Sequence, residues 1–179
     1  MKFVLDLLFP KRCVGCKKFG TYLCANCFAH IELYQDFVCP MCLLRSITGE
    51  THPLCRTAQG LDGLTSGVVY KGVVKRLIYR LKYKPYLFDL ASIIGRIFTE
   101  TISQNELYMS TLSQQPIVIP IPLSPDRLRI RGYNPAEFMA NSLSLEFKLK
   151  NYANILKRIK STKPQFKLNK EQRFDNVLG

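Results

Sequence analysis

The side chains with the most evident chemistry are seven cysteines, which lie between positions 13 and 55, with none after them. Two cysteines separated by two residues form a tight turn whose sulfurs face one ion, and two such turns complete a tetrahedron. Gly15 suits the turn inside the first pair. The spacing therefore predicts a zinc ion held by two adjacent pairs: Cys13, Cys16, Cys24 and Cys27.

A second group of the same spacing follows and consists of Cys39, Cys42, His52 and Cys55. It predicts a second zinc with three sulfur ligands and one nitrogen ligand. A loop histidine is also commonly exposed to solvent, so both roles of His52 remain open, as does the number of zinc ions. Sequential pairing of the four cysteine and histidine pairs is favoured because each hairpin then closes its own loop. The spacing also permits interleaved pairing.

Other cysteine chemistries fit less well. A disulfide framework needs an oxidising compartment, and an odd number of cysteines leaves one thiol over. A redox C-x-x-C motif normally stands alone beside a strand and a helix. Some fifty residues with few large apolar side chains need a metal to fold, which indicates structural zinc in a reducing, cytoplasmic setting.

The N-terminus and the charge set further bounds. Apolar runs are short and interrupted by charges, so no membrane span is expected. Asp6 interrupts the first of these runs, which favours a short amphipathic helix ended by Pro10 over a signal peptide. The net charge is +13, with nineteen basic and nine acidic residues after position 56. Such a balance indicates a polyanionic partner, with general solubility as the alternative.

The elements that follow the cysteines predict an α/β domain. A short strand at 66–70 precedes a helix whose apolar face begins at Val73, and a second helix covers about 87–102. After a polar loop at 103–115, a buried strand at 117–121 runs into a proline-stiffened loop. Asn134 is the predicted N-cap of a further helix, and Glu137 is placed to complete a capping box. This order indicates a mainly parallel sheet with ligands at loops 82–85 and 120–132.

Two ordered strings of residues carry a family resemblance. They are VIPIPLSPDRLRIRGYNPAEFMA and ILKRIKSTKPQFKLNKEQRFDNVLG, behind paired C-x-x-C motifs and the helix-to-loop segment LIYRLKYKPY. With them, nearly the whole chain resembles the ComF family of competence-related proteins. The resemblance implies a double zinc ribbon at 1–57 and an incomplete type I phosphoribosyltransferase-like domain at 58–179.

The resemblance also implies residue roles in the binding of phosphoribosyl pyrophosphate. The residues implied are Lys82, Tyr83 and Lys84 in a pyrophosphate loop, Arg131 in the R-G-Y-N string, and Thr162, Gln165 and Arg173 in a basic lid. The default interpretation of that tail is a solvated loop. The family further implies a role in DNA uptake and natural transformation, other competence proteins as partners, and Mg²⁺ with the ligand in a complete homologue.

One departure limits the resemblance. Family transferases carry two adjacent acids followed by Thr-Thr-Gly, and this chain contains neither. We therefore expect a shortened chain that does not catalyse transfer, while its assignment as an enzyme stays open. The alternative is a zinc-ribbon module that binds single-stranded nucleic acid, with basic residues interleaved among Tyr70, Tyr79, Tyr83 and Tyr86. Such tyrosines also fit a half-buried core position. The acceptor substrate and the oligomeric state are not readable from the sequence.

Overall fold

The computed structural model describes residues 10–34, 36–83, 86–104, 106–162, 165 and 168–176. A 3-10 turn covers Pro53–Cys55, and the amphipathic helix expected before Pro10 lies outside the described residues. The α-helices in this part of the chain are α1 (Ala25–Ala29), α2 (Gly72–Lys82), α3 (Leu90–Ser103), α4 (Glu106–Ser113), α5 (Pro125–Arg131), α6 (Pro135–Phe147) and α7 (Lys170–Asp175).

The expectation of an α/β fold with a mainly parallel sheet is wrong, because the described residues form only isolated β-bridges and no strand. Within the described residues, the segment 117–121 forms one β-bridge, between Val118 and Asn151. The Val118 N–H donates to the Lys150 carbonyl at 2.8 Å, and the Tyr152 N–H donates to the Val118 carbonyl at 2.9 Å. Pro116, Pro120 and Pro122 carry no N–H, so this pairing cannot extend into a ladder.

The other expected strand, 66–70, is also absent, because the segment has no neighbouring strand with which to pair in the described ranges. Its Val68 forms a single antiparallel bridge with Leu33, which belongs to the cysteine-rich part of the chain and not to a neighbouring sheet strand. The expectation of a buried strand at 117–121 is also wrong in burial, because Ile117 and Ile121 are exposed. The sheet of a type I phosphoribosyltransferase is therefore not present in the described residues.

Helix α2 follows its sequence pattern closely. Val73, Val74, Leu77 and Leu81 recur at helical spacing and are buried, while the basic residues of the helix lie off this face. The helix ends at Lys82, where the Tyr83 N–H donates to the Tyr79 carbonyl at 2.8 Å. The predicted helix is confirmed, and its buried face supplies much of the core.

Helix α3 packs extensively against α6. Gly95 of α3 faces Ser142 of α6, and a Cβ at Gly95 would collide with the serine side chain. The buried hydroxyl of Thr101 donates to the Ile97 carbonyl at 2.6 Å, so its burial leaves no unpaired polar atom. The predicted helix at 87–102 is confirmed in type, although it begins at Leu90 and ends at Ser103.

Several helices lie where loops were expected. Helix α4 occupies most of the predicted loop 103–115, and α5 lies inside the predicted loop 120–132. Helix α7 lies in the basic tail, where Asn169 and Gln172 form a capping box. The predicted N-cap of α6 is confirmed, because the Asn134 side chain accepts from the Ala136 N–H.

The hydrophobic core joins the first cysteine-rich loop to the helices. Val14 is buried in the same cluster as Leu77, Leu90 and Ile94, and Ile31 packs against it. A side chain at position 15 would meet both the Cys27 sulfur and the Val73 methyl group at 3.3 Å or less. The loop between Cys13 and Cys16 therefore packs directly against the helices and contributes to their hydrophobic core.

Candidate metal centres and cationic pair

Two short hairpins present the cysteines, and they repeat the same backbone geometry. The first is closed by the Arg12–Phe19 bridge and the second by the Val38–Arg45 bridge. In each hairpin the residue after the second cysteine has a positive φ, 69° at Lys17 and 61° at Leu43. The N–H of that residue donates to the carbonyl of the first cysteine at 2.9 Å. This turn directs both sulfurs of a pair to the same point.

At the first centre the sulfurs of four cysteines lie within 4.8 Å of one another: Cys13, Cys16, Cys24 and Cys27. The Cys16 and Cys24 sulfurs are 3.6 Å apart. Helix α1 begins directly after Cys24, whose sulfur accepts from the Cys27 N–H at 3.5 Å. The short helix thus brings the second pair against the first.

Backbone N–H groups make the pKa values of the cysteines in the first centre unequal. Burial alone would raise the pKa of the Cys13 thiol, but the N–H groups of Cys16, Cys24 and Gly15 donate to it and lower the pKa to about 6. Burial and hydrogen bonding toward its neighbours raise the pKa of Cys27 to about 12. One thiolate is thus stabilised by the backbone, and further thiolates need a cation.

At the second centre the ligand atoms of four residues also lie within 4.8 Å of one another: Cys39, Cys42, His52 and Cys55. The His52 Nδ1 lies 3.4 Å from the Cys42 sulfur. Its Nε2 donates to the Arg45 carbonyl at 3.1 Å, which fixes the tautomer and leaves the Nδ1 lone pair facing the sulfurs. The 3-10 turn that ends at Cys55 joins His52 to Cys55 through a backbone hydrogen bond of 2.8 Å.

The second centre shows the same division of proton affinities. Burial would raise the pKa of Cys39, but the N–H groups of Cys42, His52 and Met41 donate to the thiol and lower the pKa to about 6. Burial, followed by interaction with Cys42, raises the pKa of Cys55 to about 11. In both centres, therefore, the pKa of the first cysteine is lowered and that of the last cysteine is raised.

Both donor sets fit zinc. A tetrahedral ion with Zn–S bonds of about 2.3 Å requires sulfurs about 3.8 Å apart, close to the 3.6 Å between Cys16 and Cys24. Each set offers four ligands, so neither leaves an open position for chemistry at the metal. In the part of the chain that the structure describes, these two sets are the groups that could hold a metal ion, and no carboxylate set suited to Mg²⁺ accompanies them.

A cationic pair forms where α2 and α5 end. Lys82 is the last residue of α2, and Arg131 is the last residue of α5. Burial and the Arg131 guanidinium both lower the pKa of the Lys82 amine. The Arg131 Nε is buried and has no hydrogen-bond partner among the described residues. Two neighbouring cations with a buried, unused donor have the chemistry that suits an anion.

The other predicted ligand residues are more dispersed. Tyr83 follows Lys82 directly and is exposed, whereas Lys84 lies outside the described residues. The Thr162 carbonyl accepts from Arg127 of α5 at 2.7 Å, and its hydroxyl accepts from Arg158. Gln165 and Arg173 bind each other, since the Arg173 Nε donates to the Gln165 carbonyl at 3.0 Å. The structure thus joins Thr162 to α5 and keeps Gln165 with Arg173 in a separate local group.

Two residues near the cationic pair were missed from the sequence. Tyr133 donates from its hydroxyl to the Leu81 carbonyl at 2.6 Å, and Asn134 donates from Nδ2 to the Ile121 carbonyl at 3.0 Å. Asn134 was predicted as an N-cap alone. Both residues follow Gly132, the C-cap of α5, which has a left-handed backbone conformation. A glycine at this position is a sequence signal that a helix ends and the chain turns.

None of the helices in the described ranges is both long enough and apolar enough to cross a bilayer.

Comparisons with known proteins agree with the cysteine geometry. Residues 4–59 match the double zinc ribbon domain. Over 167 residues, or 92% of its length, the chain is 38% identical to competence protein F of Haemophilus influenzae. It spans 66% of the length of that relative. No solved structure gives a significant match.

Proposed function

Because the chain belongs to the ComF family, and so is a competence-related protein, we propose that it acts in DNA uptake by binding a phosphate-bearing ligand. The binding site is the pair Lys82 and Arg131, and phosphoribosyl pyrophosphate is the ligand that the family resemblance favours. The proposal concerns binding and not group transfer, since the chain contains no two adjacent acidic residues.

The observation that carries this proposal is the hydrogen bond from Tyr133 to Leu81, which brings the chain beside Arg131 against the chain beside Lys82. Consistent with this, the Arg131 guanidinium lowers the pKa of Lys82. Among the described residues neither Lys82 nor Arg131 has a carboxylate partner in an ion pair. Holding like charges together costs free energy, and an anion between them would recover it. Phosphate oxygens suit this site because a guanidinium binds them through parallel hydrogen bonds and an ammonium binds them as a point charge.

The two cysteine-rich centres support this function as structural elements. We propose one zinc ion in each, with Nδ1 of His52 as the nitrogen ligand of the second. Seven thiols, all free in the structure, suit a reducing compartment, which supports a cytoplasmic place of action.

Titration calorimetry with phosphoribosyl pyrophosphate tests the anion site. The wild-type protein is expected to bind, with and without Mg²⁺, and Arg131→Ala to weaken binding about tenfold or more, because a charge-assisted hydrogen bond contributes about 1.5–3 kcal/mol. Arg129→Ala is the matched control. Arg129 lies on the same helix, is exposed and carries the same charge. Equal losses in both variants, or no binding by the wild type, would reject the site.

A second candidate function, binding of single-stranded nucleic acid, is favoured by two exposed tyrosines. The rings of Tyr79 and Tyr83 lie 4.8 Å apart at an interplanar angle of 32°. They are 54% and 40% exposed, so each ring keeps about half of its surface open to a base. Tyr79 lies three residues before Lys82, and Tyr83 directly follows it. Aromatic faces beside cations suit stacked bases and their phosphates.

A fluorescent oligothymidylate tests this candidate. Binding is expected to fall steeply with salt, and Tyr79→Ala is expected to cost about 1–3 kcal/mol, or roughly fivefold to 150-fold in affinity. Tyr152→Ala is the control, because Tyr152 is similarly exposed but lies beside Val118. Absence of binding at low salt, or equal effects of both substitutions, would reject nucleic-acid binding through this surface.

A further inference from the structure

One hydrogen bond connects the two chain segments that carry the cationic pair. The Tyr133 hydroxyl donates to the Leu81 carbonyl at 2.6 Å. Leu81 directly precedes Lys82, and its carbonyl lies in the last turn of α2, where carbonyls have no partner within the helix. Tyr133 follows Arg131 with only Gly132 between them. The bond therefore links the residue directly before Lys82 to the residue two positions after Arg131.

The Tyr133 ring is held in place independently of its hydroxyl. It packs edge to face against Phe88 and Phe138, with ring centroids 5.6 and 5.5 Å away. Gly132, at φ 79°, turns the chain sharply after α5, and its N–H donates to the Leu128 carbonyl at 2.7 Å. Burial raises the pKa of Tyr133, so its hydroxyl keeps its proton and remains a donor through the neutral range. The ring is thus an anchor, and the hydroxyl is the link to α2.

The two cations repel each other, so some contact must oppose their separation. We propose that Tyr133 is a positioning residue, whose hydroxyl holds the end of α2 against the end of α5 and so keeps Lys82 and Arg131 at one anion site. This role rests on the proposed function of that site. The anion then binds to a site in which both cations are already in place, so binding requires less reorganisation.

Tyr133→Phe tests the role, since phenylalanine keeps the ring packing and removes only the hydroxyl. Inorganic pyrophosphate is the probe, and its affinity is measured by calorimetry. The affinity is expected to fall about threefold to tenfold, which corresponds to the net contribution of one hydrogen bond. Tyr152→Phe is the control and is expected to leave the affinity unchanged. An affinity of Tyr133→Phe equal to that of the wild type overturns the proposal.

The ionisation of Lys82 provides a readout that a purely structural role would not move. In the wild type, burial and Arg131 hold the Lys82 pKa below its ordinary value of 10.5. If the hydroxyl keeps the pair together, Tyr133→Phe lets Arg131 move away and raises the Lys82 pKa towards that value. The titration is followed by NMR of labelled lysines, with Lys82→Arg identifying the signal.

The two measurements separate the positioning role from the binding function. A wild-type protein that binds no pyrophosphate, but whose Lys82 pKa rises in Tyr133→Phe, rejects the anion-binding function and retains the positioning role of Tyr133. A Lys82 pKa that is the same in both proteins rejects the positioning role, whatever the wild type binds.

Discussion

Replacing Cys13 with serine is expected to unfold the helical body as well as the first zinc centre. Cys13 is fully buried, and the adjacent Val14 lies in the same core cluster as Leu77 and Ile94. Because structural zinc contributes about 10–16 kcal/mol to the folding of small zinc domains, losing one ligand is expected to remove more than about 5 kcal/mol. That loss equals or exceeds the whole stability of many domains.

Cys42→Ser at the second centre is the matched comparison. Cys42 is an exposed ligand of the same chemistry, and the neighbouring Ile47 and Leu54 are almost fully exposed. Both variants are expected to bind one zinc instead of two by elemental analysis. Only Cys13→Ser should lose the helical circular dichroism signal at room temperature. Retention of that signal in Cys13→Ser, or its loss in Cys42→Ser to the same extent, would contradict a first centre built into the core.

Leu77→Ala is expected to give the next largest effect, a loss of about 2–5 kcal/mol in the free energy of unfolding. Leu77 is 1% exposed at the middle of α2. It also lines a small apolar cavity, of about 60 Å³, together with Val74 and Ile97. Truncation therefore enlarges an existing void, and neighbours already bordering a void regain few contacts by relaxing. Urea unfolding followed by circular dichroism measures the change.

The control for Leu77→Ala is Leu145→Ala on α6. Leu145 is 82% exposed, so the same chemical change removes almost no buried surface. A change within about 0.5 kcal/mol is expected there. Similar losses at both positions would mean that Leu77 does not lie at the centre of the core.

The cysteine centres could be predicted in detail because their information is local. A separation of two residues sets the turn, and the order of the pairs along the chain sets which pairs meet. The role of His52 could not be decided in this way. It depends on the Arg45 carbonyl, which selects the histidine tautomer from seven residues away and leaves no trace in the spacing.

Helices α2 and α3 were predictable from apolar periodicity, whereas α5 was not predicted although its signals are present. Ser124 precedes Pro125 at the first helical position, and Gly132 follows the last turn. The prolines at 120 and 122 had suggested an extended loop across the whole segment. The sheet was wrongly expected because β-propensity indicates an extended segment but does not show whether a second strand lies beside it. Val118 has one bridging partner, Asn151, and the prolines at 116, 120 and 122 keep this pairing from extending.

The prolines around residues 117–121 have a consequence for the behaviour of the protein at high concentration. Ile117 and Ile121 expose β-branched side chains on an extended segment, the kind of edge that recruits copies of itself into aggregates. Pro116, Pro120 and Pro122 remove three of the N–H groups that such recruitment needs. They act as gatekeepers against intermolecular β-association.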